Sequence, residues 1–426
     1  MKDKDSIRYN SFLYRIAQYL RKNHPEGMDD QCILFPNRRA GLFFKKYYAE
    51  ISDKSSWLPE IYTIGDFMNR LSGLQAADPL ELSFETYRSY KKLTGSTESY
   101  DEFYPWGEMM VSDFNDIDKY LVDAEQLFTN VNDLKEIEQI FDYLDQDQKQ
   151  LISRFWKNFE TGELSGQKES FLFIWKILFP VYEDFKKNLI KKELGYEGMI
   201  YRIVAEDIIS HPDFSWQWSK INICGFNALS KAEEKLFAQL RDAGKASFFW
   251  DYDPSFINDT MHEAGRFLRS NIRRFPAVKD FTLQEKIVEE EKDINIFSLP
   301  SDVLQTKQLH EILNELNSDE EEIEKTVHDF NRTAVILGDE TLLPAILTSI
   351  PQSVGRLNIT MGFPVSQTPV YSFIEAVLKM QQNLIRRKNN QKFYFRDILS
   401  VLNHQYIKTF YQDKAAELVD RIHREN

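Results

Sequence analysis

Asn37, Arg38 and Arg39 stand directly behind a short apolar run, Ile33-Leu34-Phe35-Pro36. A run of that kind, stopped by proline, reads as a buried parallel strand. In open α/β sheets ligands bind beyond the carboxyl ends of the strands. Two guanidiniums and an amide at such an edge, beside the N–H groups that open the next helix, suit phosphate. The same residues fit equally well a solvated turn whose arginine stems pack on the surface.

Other chemistries lack their residues. A phosphate-wrapping loop needs Gly-x4-Gly-Lys-Ser/Thr between a strand and a helix. The nearest fragment, Gly244-Lys245-Ala246-Ser247, lacks the first glycine and precedes a strand. It reads as a helix-to-strand turn with Gly244 just past the helix end. His262-Glu263 begins like a zinc-protease helix, but Arg266 stands where the second histidine would be. The histidines are scattered and read as surface residues. Glu233-Glu234-Lys235 has the spacing of a PD-(D/E)xK nuclease motif but falls on an expected helix, and reads as solvated helix surface. There is no Gly-x-Ser-x-Gly elbow. No catalytic residue is expected, and no metal or cofactor in this chain.

The elements that must carry the arginines follow from periodicity. Apolar residues at helical spacing run from Ser6 to Asn23, ahead of the strand Cys32–Pro36. A helix over Ala40–Glu50, a strand over Pro59–Thr63 and a helix over Ile64–Leu71 come next. Helical periods then dominate to about Ser210, with examples at Glu81–Lys92, Trp106–Tyr120, Gln148–Phe159 and Ser170–Ile190, and read as an all-α insertion. The β/α rhythm returns with the strand Ile221–Phe226, a helix capped by Ser230, and the strand Ala246–Trp250. Pro276–Lys292 and Asp319–Glu322 read as linkers. A second run has expected strands at Asp293–Leu299, Thr333–Leu337 and Leu357–Thr360. Its expected helices are Asp302–Asn317, a stretch near Leu342, and Val370–Gln382. A basic break at Arg386–Asn390 and a helical end, Phe395–Arg424, complete the chain.

Composition narrows the class. Hydrophobic residues at 42% and charged residues at 28% fit a globular chain, and 426 residues suffice for several domains. No stretch approaches the ~18 apolar residues of a membrane span, and the charged start Met1–Asp5 lacks a signal-peptide core. A cytoplasmic location without membrane contact is expected. Only two cysteines are present, Cys32 and Cys224, and both fall on expected buried strands. A net charge of −14 argues against a broad nucleic-acid surface while leaving room for a local basic groove.

Several segments in order resemble one family. Ile33-Leu-Phe-Pro-Asn-Arg-Arg-Ala-Gly-Leu-Phe-Phe44 is similar to the second-strand motif of AddB-type double-strand-break repair proteins, degenerate relatives of UvrD-like superfamily 1 helicases. Pro59–Phe67 resembles the next element, and Asp113–Val122 a piece of the helical insertion. Ile221–Glu233 is similar to the Walker B strand and its turn, and Asn358–Pro369 to a signature of the second helicase-like domain.

The resemblance implies an α/β fold of two RecA-like (P-loop NTPase-like) parallel-sheet domains with large all-α insertions and no phosphate loop. Residues 1–72 and 211–285 would form the first domain, split by the insertion 73–210. Residues 286–390 would form an incomplete second domain, and 391–426 the start of a second insertion. Cys224 stands where a Walker B carboxylate would hold Mg²⁺. Asn37, Arg38, Arg39 and Thr63 match motifs that touch the single-stranded DNA backbone, where contacts go to phosphate and carry little sequence information. A C-terminal PD-(D/E)xK nuclease with an iron–sulfur cluster and Mg²⁺ would belong to a longer protein, beyond Asn426.

Two functions remain open on this reading. One is a non-hydrolysing helicase-like module that grips single-stranded or broken-end DNA in double-strand-break processing, beside an ATP-driven helicase-nuclease subunit. The other is a scaffold that mainly binds that subunit.

Overall fold

The computed structural model describes residues 11–52, 57–129, 168–211, 214–281, 286–289, 291–318, 330, 333–386 and 393–425. The chain divides into two compact units, Met1–Lys292 and Asp293–Asn426.

The first unit is built on β1 (Gln31–Phe35), in which every residue is buried. Burial on both faces is what a continuous apolar run demands, and parallel sheets with helices on both sides provide it. Helix α1 (Phe12–Asn23) precedes β1. Helix α2 (Arg38–Glu50), β2 (Glu60–Thr63) and α3 (Ile64–Ser72) follow it. Much later come β5 (Lys220–Cys224), α9 (Lys231–Asp242) and β6 (Ala246–Phe249). These four strands form one sheet in the order β2-β1-β5-β6. All pairs are parallel, with Ile33 opposite Ile61 on one side and Asn222 on the other.

Alternation along the strands sorts two cores. Cys32, Leu34, Ile221, Ile223 and Phe248 face α3 and α9, against Phe67, Leu236 and Phe237. Ile33, Phe35, Cys224 and Phe249 face α1 and α2, against Ile16, Phe44 and Tyr48. The chain steps one way from β1 to β2 and the other way from β5 to β6. Right-handed crossovers therefore place α2 and α9 on opposite faces.

Between β2 and β5 lies the mainly helical insertion: β3 (Gln75–Ala76), α4 (Pro79–Thr94), α5 (Tyr100–Lys119), α6 (Ala124–Thr129), α7 (Lys168–Lys191), β4 (Leu194–Gly195) and α8 (Glu197–Ile203). The insertion is not all-α as expected, because β3 and β4 pair in parallel over two residues each. The expected helix Gln148–Phe159 lies outside the described residues. Helices α4 to α7 share a core that includes Phe103, Phe114, Tyr182 and Phe185. Inside it the fully buried Asp118 accepts hydrogen bonds from the Tyr182 and Tyr196 hydroxyls, each at 2.5 Å. It also meets Arg202 Nε at 2.6 Å. Burial, then the Asp118 charge, pushes the Tyr196 phenol up. Within the insertion, α8 packs against α5. There Gly198 N–H donates to Asn115 Oδ1 at 2.7 Å.

After β6 come α10 (Pro254–Asn258), α11 (Arg266–Arg274) and α12 (Lys286–Glu289). The expected linker from Pro276 is in part core. Ala277 bridges to Phe248 in parallel, and Phe281 is buried against Phe249 and Tyr19. The apolar Val278 and Phe281 carry this stretch onto the open side of the sheet.

The second unit holds α13 (Asp302–Ser318), α14 (Leu343–Ser349), α15 (Pro369–Arg386), α16 (Phe395–Leu402) and α17 (Gln405–Glu425). The second parallel sheet is not found: among the described residues of this unit there is no strand. The three segments read as strands have no paired edge and leave apolar side chains in water, with Ile296 and Ile336 each 90% exposed. Strand pairing is held by neighbours that satisfy both backbone and side chains, and here neither is provided. The expected linker Asp319–Glu322 lies outside the described residues. Among the described residues of the whole chain, no helix is long and apolar enough to cross a membrane.

Candidate nucleic-acid interface at the carboxyl edge of the sheet

The connections step outward in opposite directions from β1 and β5, which makes a topological switch point between these two parallel strands, and the crevice outside it is where open α/β sheets hold ligands. The residues that open onto it come from the turns after β1, β2 and β5. Asn37, Arg38 and Arg39 are exposed directly after β1, and Thr63 ends the neighbouring β2. The topology therefore brings all four expected contact residues to one edge.

Two of the four are already occupied structurally. Asn37 is the N-cap of α2, its side-chain oxygen accepting from Ala40 N–H at 2.9 Å. Thr63 caps α3, accepting from Asp66 N–H at 3.2 Å and donating to Asp66 Oδ2 at 2.8 Å. Such caps satisfy N–H groups that the helix itself leaves open. The Arg38 side chain is 85% exposed, and Nη2 lies 3.2 Å from Asp66 Oδ1. Arg39 sits 5.9 Å over the Phe43 ring, in the cation–π range, and makes no ion pair among the described residues. The sequence did not reveal Asp66 as the arginine's partner. The Thr63 hydroxyl first, and Arg38 after it, hold the Asp66 carboxyl below the usual carboxylate range.

The turn after β5 closes the crevice from the other side. Gly225 has φ +72°, and its N–H donates to Phe249 O at 2.9 Å. That left-handed backbone favours glycine, and a Cβ there would lie 3.2 Å from the Phe12 ring, which would have to give by a few tenths of an ångström. Cys224 is fully buried in the apolar layer with α1 and α2. Burial pushes its thiol well up, and Sγ reaches no further than Asn222 O at 3.7 Å. In this position it acts as a small apolar residue.

Ser230 opens α9 with the expected capping box. Its hydroxyl accepts from Glu233 N–H at 3.3 Å, and Glu233 Oε2 accepts from Ser230 N–H at 2.7 Å. Glu233 is therefore not solvated helix surface. Burial is the main cause that raises its carboxyl, with Glu197 adding to it. The Tyr201 phenol is raised by burial and then by Glu197, Glu233 and Asp66. The edge is thus acidic where α8 and α9 begin, at Glu197 and Glu233, and cationic where α2 begins, at Arg38 and Arg39.

Gly244 lies at the opposite, amino end of the sheet. It has φ +68° just past α9, and Lys245 Nζ donates to Trp218 O at 3.2 Å. The fragment with a passing likeness to a phosphate loop is a helix-to-strand turn.

Helix α11 also reaches this edge, through a contact between segments 44 residues apart. Asn271 Nδ2 donates to Asn227 O, in the turn after β5, at 2.6 Å. Its run Arg266-Phe-Leu-Arg-Ser-Asn-Ile-Arg-Arg274 holds four arginines and no acidic residue. No family model and no curated protein matches the chain.

Proposed function

We propose that the chain is a helicase-like module of the AddB type. It holds single-stranded DNA at broken ends through the carboxyl edge of its first unit and does not turn over ATP itself. On this reading the first unit is a RecA-like domain that has lost its phosphate loop, and an ATP-driven helicase-nuclease subunit supplies movement. The observation that carries the reading is the placement of Arg38 and Arg39. They stand exposed at the β1/β5 switch point of an open parallel sheet, where fold physics puts ligands. Non-specific contact by two arginines suits backbone phosphate and carries no sequence preference.

The test is binding of fluorescent oligothymidylate at low salt. Replacing both arginines, Arg38→Ala with Arg39→Ala, should weaken binding. It should also flatten the dependence of log affinity on log salt by about 1.4, from about 0.7 per phosphate contact on single strands. Undetectable binding, or binding unchanged in the double variant, would refute the proposal.

A second reading, a scaffold for the partner subunit, is favoured by the apolar surface of the second unit. Ile296, Ile336 and the α15 residues Val370, Ile374 and Leu378 are exposed there. Exposed apolar patches of this kind mark interaction surfaces. Capture of the partner by a chain that does not bind DNA would decide for it.

A further inference from the structure

The turn after β1, which carries Arg38 and Arg39, is one lip of the switch-point crevice, and the turn after β5 is the other. Asn227 lies in this second turn and is exposed. Its side-chain amide makes no hydrogen bond among the described residues. It therefore offers two N–H donors and a carbonyl at the lip.

The backbone beneath that side chain is held by three elements. From β6, Phe249 O accepts the Gly225 N–H at 2.9 Å. Towards α9, the buried Phe226 ring meets Phe237 edge-on at 5.3 Å, and the Ser230 capping box closes the turn. From α11, Asn271 Nδ2 donates to Asn227 O itself at 2.6 Å. Asn271 is only 4% exposed. An apolar side chain could fill its place without needing any partner, whereas a buried amide must have one. Directing that amide at the carbonyl of one exposed turn residue fixes where the residue stands. A contact group locked by supporting hydrogen bonds is what a binding site requires.

Neutral amides contact backbone phosphate beside the cations that attract it. We infer that Asn227 is the contact of the crevice on its β5 side, donating a side-chain N–H to a phosphate oxygen of the single strand, and that Asn271 is the residue that positions it. This rests on the reading proposed for the edge.

The experiment uses the full chain and fluorescent oligothymidylate over a range of salt. Asn227→Ala should weaken binding roughly ten- to a hundredfold, the range of one hydrogen bond to a charged group. The slope of log affinity on log salt should stay as in wild type, because a neutral donor displaces no counterion. That separates Asn227 from Arg38 and Arg39, whose replacement flattens the slope. Asn227→Gln keeps the donors and should recover part of the loss. Asn227→Asp has no donor and adds a negative charge, so it should bind more weakly than Asn227→Ala. The loss should be the same on oligodeoxyadenylate, since phosphate is common to both. Thermal melts would confirm that these variants fold, as expected at an exposed position.

Asn271→Ala should weaken binding in the same manner, again without changing the slope. In the Asn227→Ala background it should cause no further loss, which is the coupling a positioning role demands. Additive losses, or a lowered melting temperature with affinity unchanged, would reduce Asn271 to a fold-stabilising residue and overturn its role.

If Asn227→Ala binds as wild type does, while Arg38→Ala with Arg39→Ala weakens binding, the inference is overturned and the edge reading stands. If wild type binds neither oligomer, both fail. A loss confined to oligodeoxyadenylate would assign Asn227 to a base edge and overturn the phosphate contact.

Discussion

Arg38 and Asp66, 28 residues apart in sequence, lie 3.2 Å from each other across the turns after β1 and β2. The carboxylate therefore competes with any phosphate for the same guanidinium. Asp66→Asn removes that competitor while Thr63 still caps α3 through the residue-66 N–H. Exposed pairs are worth up to about 1 kcal/mol, so single-stranded DNA affinity should rise by up to about fivefold at low salt. Fluorescence anisotropy would measure it, and a fall in affinity would show that Asp66 orients Arg38 instead of opposing it.

The same carboxyl gives a pH signature. Its folded-state pKa is depressed by Thr63 and Arg38, so its stabilising contribution is present above the unfolded value near 3.9 and is lost as pH falls through the lower folded value. Wild type should thus be more stable than Asp66→Asn at neutral pH, with the gap closing below about pH 4. Melting temperatures across that range would test the sign.

Glu233 predicts the reverse dependence. Burial raises its folded-state pKa, so its contribution is fully present below the unfolded value near 4.3 and lost as pH rises through the folded value. Glutamine can keep the cap to Ser230 without the charge. Glu233→Gln should equal or exceed wild type in melting temperature at pH 7 and lose that advantage in acid. A variant less stable at neutral pH would mean that the charge itself holds α9.

The buried Asp118 is the polar anchor of the insertion. Asp118→Ala leaves Arg202 and two tyrosine hydroxyls facing a void and should cost about 3–5 kcal/mol. Tyr196→Phe removes one bond to a charged group and should cost about 1.5–3 kcal/mol. Urea denaturation would give both values, and an Asp118→Ala loss below that of Tyr196→Phe would contradict the network.

A Cβ on residue 198 would stand 2.1 Å from Asn115 O. Backbone cannot yield as a side-chain tip does, so Gly198→Ala should force α5 and α8 apart at a cost of about 1–3 kcal/mol. A melting temperature equal to wild type would show that this crossing adjusts freely.

How much of this was legible in sequence depends on the range of the interactions. β1, β5 and β6 were readable because each is a short run apolar on both faces, and α4 and α5 because their apolar period is helical. β3 and β4 are two residues long and leave no periodic trace. Ile294, Ile296, Leu357 and Ile359 alternate as strand residues do, but alternation says nothing about whether a partner edge exists. At the site, the arginines after β1 could be picked out by type and position. That Asn37 and Thr63 serve as caps follows from local geometry. Asp66 beside Arg38, and Asn271 beside Asn227, are contacts between segments that sequence alone does not bring together.

The register that pairs Gln31 with Lys220 also sets an order of events during synthesis. β1 and β2 can meet soon after they emerge, but the far side of β1 has no partner until residue 220 has been made. Until then an apolar strand edge stays open, the kind of surface that recruits wrong neighbours. Closing so long a loop is also slow to reward the chain for its lost entropy. Completion of the sheet by β5 is therefore expected to be the late, rate-limiting event of folding, and the nascent half-sheet the species most in need of a chaperone.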